Sequence, residues 1–149
     1  LRAWGERLDR IVISHQDSDH SGGAPAMMVM QPQAQVLTSI APEHPLQQLG
    51  SMQRCERGQS WTWDGVRFEV LHPSVADYER KLKPNALSCV LRVTASRLET
   101  RSTSGAAFHV THVSALLAGD IEAFQEQSLV LIGSHVIKDI NQNGLACTK

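Results

Sequence analysis

The amino-acid sequence predicts a mixed α/β fold of the α+β kind. Residues 11–13 form a short β-branched run that breaks into a polar loop, and a helical pattern then extends to Met30. Further along, Trp61 and Trp63 alternate with polar residues and are followed by Asp64 and Gly65, a pair typical of a two-residue hairpin turn. A strand, a helix and a hairpin within 149 residues indicate one mixed domain.

The other elements follow from the spacing of apolar residues. Strands are predicted over residues 11–13, 36–38, 61–63, 66–70, 88–94 and 108–118. Helices are predicted over residues 1–8, 25–30 and 121–132, the last with Ile121, Phe124 and Leu131 facing inward. Residues 73–86 are expected to form a long loop and residues 95–107 a polar connection.

Composition excludes several classes of protein. Hydrophobic residues make up 42% and charged residues 19% of the chain, which is typical of a globular domain rather than a disordered one. No apolar run approaches the roughly 20 residues that span a bilayer. The net charge of −1 does not indicate a polyanionic partner. Residues 80–101 nevertheless contain six basic residues and only one acidic residue, Glu99. The simplest explanation is a solvated surface. The basic residues are Arg80, Lys81, Lys83, Arg92, Arg97 and Arg101.

The three cysteines, Cys55, Cys89 and Cys147, have no CxxC spacing. This excludes zinc-finger and thioredoxin motifs. A disulfide between Cys55 and Cys89 is possible, but the sequence does not establish it, so cysteine usage leaves the compartment open.

The loop after the first strand has the strongest chemical signal. Four potential metal ligands, His15, Asp17, Asp19 and His20, fall within six residues. Imidazole and carboxylate together suit Zn²⁺ or Mn²⁺, and the lack of a thiolate argues against a structural zinc or iron–sulfur site. Ligands this close can converge only if the backbone curls around the ion. The alternative is a polar capping loop that contains two histidines.

Asp120 is the second signal. It ends an apolar strand next to Gly119, which allows close approach of the backbone. Strands that end at one edge of a sheet share a site, so Asp120 is expected opposite the loop that contains the histidines. The alternative is a helix N-cap, a common position for aspartate.

These residues belong to a wider set of motifs. The set is LDRIVISH (8–15), HxDxDH (15–20), SGGA (21–24), WTWDGV (61–66), LHP (71–73), KPNALSCVL (83–91) and LAGDIE (117–122). Together they resemble the metallo-β-lactamase superfamily, with Asp17 in place of the second histidine of HxHxDH. This version is similar to the C-terminal domain of ComEC-type DNA-uptake channel proteins. The resemblance covers about residues 1–130.

The resemblance implies two divalent ions, Zn or Mn, in an αββα sandwich. His15 and Asp17 would bind one ion, Asp19 and His20 the other, and Asp120 would bridge them. Asp19 and Asp120 would be the catalytic residues. Many members of the superfamily have another ligand histidine in the segment that here contains Asn85 and Ser88. Both residues are therefore expected near the metals, as groups that position the ligands. The alternative is a plain loop-to-strand turn.

The chain also departs from the family pattern. The family's first strands would precede Leu1, and its His-His-Gly-Ser motif near the end has no counterpart, because His135 lies in a different context. We therefore expect a single, partial metallo-β-lactamase-like domain over residues 1–149, with a divergent tail over 131–149. Such a fragment is expected to have exposed sheet edges and to fold poorly alone.

Three functions are compatible with these observations. The first is a metal-dependent phosphodiesterase or nuclease domain of a DNA-uptake protein, acting on single-stranded DNA during natural transformation. The resemblance then implies that the full-length protein has a membrane channel in the inner membrane, with this domain on a soluble, periplasmic face. The second is a hydrolase of a small ester, thioester or lactam. The third is a non-catalytic module of a transport channel.

Overall fold

The computed structural model describes residues 7–101, 107–130 and 145–147 of the chain. Three strands form a parallel sheet in the order β1 (Arg10–Ile13), β2 (Gln35–Thr38) and β3 (Met52–Arg54). Two helices, α1 (Ser18–Ser21) and α2 (Ala24–Met30), connect β1 to β2. This strand–helix–strand unit brings the end of β1 and the end of β2 to the same edge of the sheet.

Five strands form an antiparallel sheet in chain order. They are β4 (Ser60–Trp63), β5 (Val66–His72), β6 (Val90–Arg101), β7 (Ala107–Leu117) and β8 (Leu145–Cys147). The predicted hairpin is confirmed: Asp64 and Gly65 have φ of 48° and 79°, as a two-residue turn with left-handed backbone requires.

Successive residues of a strand point to opposite faces of its sheet, and the contacts of alternate residues show the order of the layers. Val36 packs with Met28 of α2, whereas its neighbour Leu37 packs with residues of the antiparallel sheet. Likewise Val70 faces the parallel sheet, and Leu71 packs with Leu129 of the last helix, α4 (Ala123–Val130). The described residues thus form helix, sheet, sheet and helix layers, and the prediction of an α+β fold is confirmed.

A disulfide joins Cys55 to Cys89 between the two sheets. Both residues are buried in the same core cluster as Leu37 and Leu91. The bond ties the segment after β3 to the segment before β6. The pairing that the sequence left open is therefore present.

The region between β5 and β7 differs from the prediction. Residues 73–86 contain a helix, α3 (Val75–Glu79), and a 3-10 helix begins at Asn85 (Asn85–Leu87). The helix is stabilised by a capping box, in which Ser74 and Asp77 exchange backbone and side-chain hydrogen bonds. Residues 95–101 continue β6 instead of forming a polar connection, because each pairs with a residue of β7.

Two further expectations were wrong, one strand was missed, and one predicted helix lies mostly outside the described residues. The polar loop after β1 contains one helical turn, α1, and the short strand β3 was not expected. Phe124 is 64% exposed, because α4 begins only at Ala123 and buries Gln125 and Leu129 instead. The predicted helix over residues 1–8 lies outside the described residues except for Arg7 and Leu8, which are not helical. Within the described ranges, no helix has the length and apolar character needed to cross a membrane.

Candidate metal centre

The loop after β1 turns back on itself through one helical turn. The backbone N–H groups of His20 and Ser21 both donate to the carbonyl of Asp17, each at 2.9 Å. The Ser14 carbonyl accepts from the N–H of Cys89 at 2.8 Å, which fixes the loop against the start of β6. The predicted curling of the backbone is thus achieved by a short helix.

His15 is the buried member of the site, with 1% of its surface exposed. Its Nδ1 lies within hydrogen-bonding distance of the hydroxyls of Ser14, at 3.1 Å, and Ser88, at 3.3 Å. Its Nε2 is buried without a hydrogen-bond partner among the described residues. Burial first, and the neighbouring His20 second, lower the pKa of His15. A neutral ring whose Nδ1 proton points to a hydroxyl presents a free lone pair at Nε2.

Asp120 lies between the two histidines. Its Oδ1 is 3.2 Å from Nε2 of His20, and its Oδ2 is 4.0 Å from Nε2 of His15. The two rings are 4.3 Å apart between centroids. One carboxylate therefore presents a different oxygen to each imidazole.

Asp17 and Asp19 flank the histidines on the outside. An oxygen of Asp17 is 3.5 Å from Nε2 of His15, and an oxygen of Asp19 is 3.6 Å from Nε2 of His20. The side chain of Asp19 is 76% exposed and that of Asp17 45%. The five predicted residues thus form two His–Asp pairs with Asp120 between them, and their assignment to two separate ions stays a prediction.

Gly119 explains how Asp120 reaches this position. Its φ is +58°, and a Cβ built on it would lie 3.0 Å from Cβ of Ser14 and 3.1 Å from Cβ of Ser88. Any larger residue would push the strand end away from the loop after β1. The close approach predicted for this glycine is confirmed.

Ser88 connects the two halves of the site. It is fully buried, contacts Nδ1 of His15, and accepts the backbone N–H of Asp120 at 3.2 Å. Asn85 supports it only through the backbone, because its carbonyl accepts the N–H of Ser88 at 2.9 Å. Ser14, which is within 3.1 Å of Nδ1 of both His15 and His20, was not predicted, although its place beside His15 was a usable signal.

The donor set fits a divalent cation. Ligand atoms of His15, His20 and Asp120 all lie within 4.8 Å of one another. The observation that points to a bound ion is the buried Nε2 of His15, since a buried polar atom without a hydrogen-bond partner is costly. Nitrogen and carboxylate oxygen ligands without sulfur suit Zn²⁺ or Mn²⁺. Binding of two such ions stays a prediction.

Other polar residues have structural contacts. Nε2 of the buried His72 lies 2.9 Å from the carbonyl of Ala86, so this histidine has a structural hydrogen bond. In the basic stretch, Arg92 pairs with Glu69 at 2.6 Å, while Lys81 and Lys83 are exposed. The side chains of Arg97 and Arg101 lie outside the described part.

Comparison with known proteins extends these observations. The chain is 40% identical over 132 residues to competence protein ComA of Neisseria gonorrhoeae, a match covering 87% of this chain and 15% of that protein. It is 29% identical over 129 residues to recombination protein 2 of Haemophilus influenzae, covering 85% of this chain and 14% of that protein. These likenesses support a relationship to competence proteins.

A third relative is the uncharacterized protein YcaI of Escherichia coli, which is 30% identical over 80% of this chain and 13% of its own length. The chain thus spans about one seventh of the length of the first two of these relatives. No family model and no solved structure matches it. The predicted relationship to competence proteins is confirmed, whereas membership of the metallo-β-lactamase superfamily stays a prediction.

Proposed function

We propose that this chain is a metal-dependent phosphodiesterase or nuclease domain of the metallo-β-lactamase type, belonging to a ComEC-like DNA-uptake protein. The observation that carries the proposal is the convergence of the His15–His20 loop and Asp120, together with the buried, unpartnered Nε2 of His15. The helix, sheet, sheet, helix layering supports it as well. The relative named for competence, ComA of Neisseria gonorrhoeae, supports the biological context.

The five residues would divide the work as follows. His15 and Asp17 would hold one cation, His20 and Asp19 the other, and Asp120 would contact both. When bound, the cations would supply a nucleophilic water near neutral pH and neutralise charge on the phosphate oxygens. Asp19 is the most exposed of the five side chains, so its carboxylate is placed to accept a proton from an attacking water. Ser88 and Ser14 would hold the imidazole rings in orientation through Nδ1.

Single-stranded DNA is the proposed substrate, and a membrane channel of the full-length protein is the proposed partner. Exposed Lys81 and Lys83 are available for phosphate contacts. An inner-membrane protein with this domain on the periplasmic face would suit the disulfide between Cys55 and Cys89, because disulfides persist in oxidising compartments.

The test is cleavage of a single-stranded oligonucleotide by the purified chain with Mn²⁺ or Zn²⁺. We expect metal-stimulated cleavage that Asp19→Ala abolishes and that Asp9→Ala, an exposed aspartate before β1, leaves unchanged. Calorimetric titration with the metal alone gives a second readout. Hydrolysis of a small ester or lactam without DNA cleavage would replace the proposal with a small-molecule hydrolase. Failure to bind metal would leave a non-catalytic channel module.

A further inference from the structure

We propose that the cavity beside His15 is a nucleoside subsite, which binds the base and sugar next to the phosphate held at the candidate metal centre. The position of the phosphate rests on the proposed function. The cavity has a volume of about 650 Å³, and its lining includes His15, Arg54, Tyr78 and Leu82. That volume lies within the roughly 300–1,000 Å³ of small-ligand sites. Because His15 belongs to both, the cavity adjoins the candidate metal centre.

The arginine and the tyrosine provide fixed flat surfaces. The guanidinium of Arg54 lies 4.6 Å from the centroid of the Tyr78 ring. Its Nε and one terminal nitrogen both donate to the same oxygen of Glu56, and the Tyr78 hydroxyl donates to the carbonyl of Cys55 at 2.6 Å. Neither group therefore needs to be ordered when a ligand binds. Bases stack on aromatic rings and on guanidinium planes.

The remaining lining suits a nucleoside better than a purely apolar ligand. Leu82 and Leu87 contribute apolar surface, whereas Gln53 and Glu43 offer the donors and acceptors that base edges require. Exposed Lys81 precedes Leu82 in the chain, where it can contact a phosphate farther along the strand. Single-strand binding grooves combine surfaces on which bases stack with basic side chains, such as Lys81 here, along the path of the phosphates.

Two variants test the subsite, each with a matched control. Arg54→Ala removes the stacking guanidinium, and its control is Arg67→Ala; both arginines are more than half exposed and pair with a glutamate two residues later. Leu82→Glu places a carboxylate in the cavity lining, where it repels the phosphates of a bound strand; its control, Leu49→Glu, adds the same charge at a half-exposed position outside the lining. Circular dichroism melting verifies that each variant is folded. Because Arg54 is a surface residue, its variant remains informative if Leu82→Glu does not fold.

The measurement is fluorescence anisotropy of a labelled oligothymidylate with the metal-free chain. We expect Arg54→Ala and Leu82→Glu each to weaken binding about tenfold, because each change acts on contacts that only a strand in the cavity makes. The controls should keep the wild-type affinity. Equal affinity in variants and controls would overturn the subsite.

This binding measurement, together with the cleavage assay with metal, separates the two proposals. If the wild-type chain cleaves DNA with metal but the variants bind like their controls, the subsite is wrong and the nuclease proposal stands. If no cleavage occurs but the binding pattern holds, the hydrolytic proposal is wrong and the subsite stands.

Discussion

Oδ1 of Asp120 lies 3.2 Å from Nε2 of His20, although the two residues are 100 positions apart in the chain. One follows β1 of the parallel sheet, and the other follows β7 of the antiparallel sheet. The site is therefore assembled only when the two sheets pack face to face. A change that disturbs the packing of the sheets should therefore also disturb the arrangement of the candidate ligands.

Asp120→Asn should abolish most of the stabilisation that metal gives to the fold. A ligand that binds only the folded state adds about 2.7 kcal/mol at one hundred times its dissociation constant. The amide removes the negative charge that faces both histidines while keeping the shape. Thermal melting with and without Mn²⁺ or Zn²⁺ measures the effect. Asp64→Asn, at an exposed left-handed turn position that asparagine also adopts, should keep the full metal-induced shift.

Gly119→Ala should weaken metal binding and the fold together. The added methyl group would meet Ser14 and Ser88 at about 3 Å and also carry the strain of a positive φ, roughly 1–2 kcal/mol. Gly65→Ala is the control, because its φ is +79° but nothing lies within 4 Å of the added atom. Both variants should melt earlier, and only Gly119→Ala should lose metal affinity in a calorimetric titration. Equal metal affinity in the two variants would contradict the role given to Gly119.

Ser88→Ala should lower metal affinity about 10- to 100-fold, the usual cost of removing a group that orients a metal ligand. The change removes the contact with Nδ1 of His15 and the acceptor for the Asp120 N–H. Ser128→Ala removes a serine hydrogen bond in α4, away from the site, and should leave the affinity unchanged. If a purely structural role were correct, Ser88→Ala would lower the melting temperature of the metal-free chain without changing the metal dissociation constant.

The sequence was most informative where local pattern and burial agree. The run ending at Ile13, the tryptophan hairpin and the apolar strand before Gly119 all alternate or cluster in ways that only strands explain. The five candidate ligands were found because each follows such a strand directly. Their convergence has a different cause from the common sheet edge expected from the sequence, because β1 and β7 lie in two different sheets and Asp120 meets the loop where these sheets pack together.

The missed elements depend on pairing rather than on pattern. The strand β3 has only one apolar residue, Met52, and exists because Met52–Arg54 pairs in parallel with β2. The extension of β6 to Arg101 is polar and forms because β7 is available opposite it. The intrinsic β propensity of these residues does not predict such strands. The helix α3 did have a readable signal, since Ser74 and Asp77 are spaced as a capping box.

His72 should make stability fall as the pH is lowered. Burial, as the largest cause, lowers the pKa of His72 below its ordinary 6.5, and the attraction of Asp77 and the hydrogen bond to Ala86 only partly oppose it. The unfolded chain therefore takes up a proton first as the pH drops below about 6.5, so stability present above that pH is lost. One such proton contributes a slope of at most about 1.4 kcal/mol per pH unit.

This slope is measured by urea denaturation at several pH values between about 7.5 and about 5, a range that brackets the ordinary pKa of histidine. His72→Gln should flatten it, because an uncharged amide can still donate to Ala86 without titrating. His112→Gln, at an exposed position on β7, should keep the wild-type slope. The same slope in all three proteins would assign the pH dependence to other groups.

The disulfide should stabilise the fold by about 3–4 kcal/mol, the chain-entropy value for a separation of 34 residues. Reductant should lower the denaturation midpoint of the wild-type chain and leave the Cys55→Ala/Cys89→Ala double variant unchanged. Because Cys89 adjoins Ser88 and its N–H holds the loop of His15, reduction should also weaken metal binding. A midpoint that is insensitive to reductant, with Cys55 and Cys89 both labelled by a thiol reagent in the unfolded, unreduced chain, would show that the bond does not form in solution.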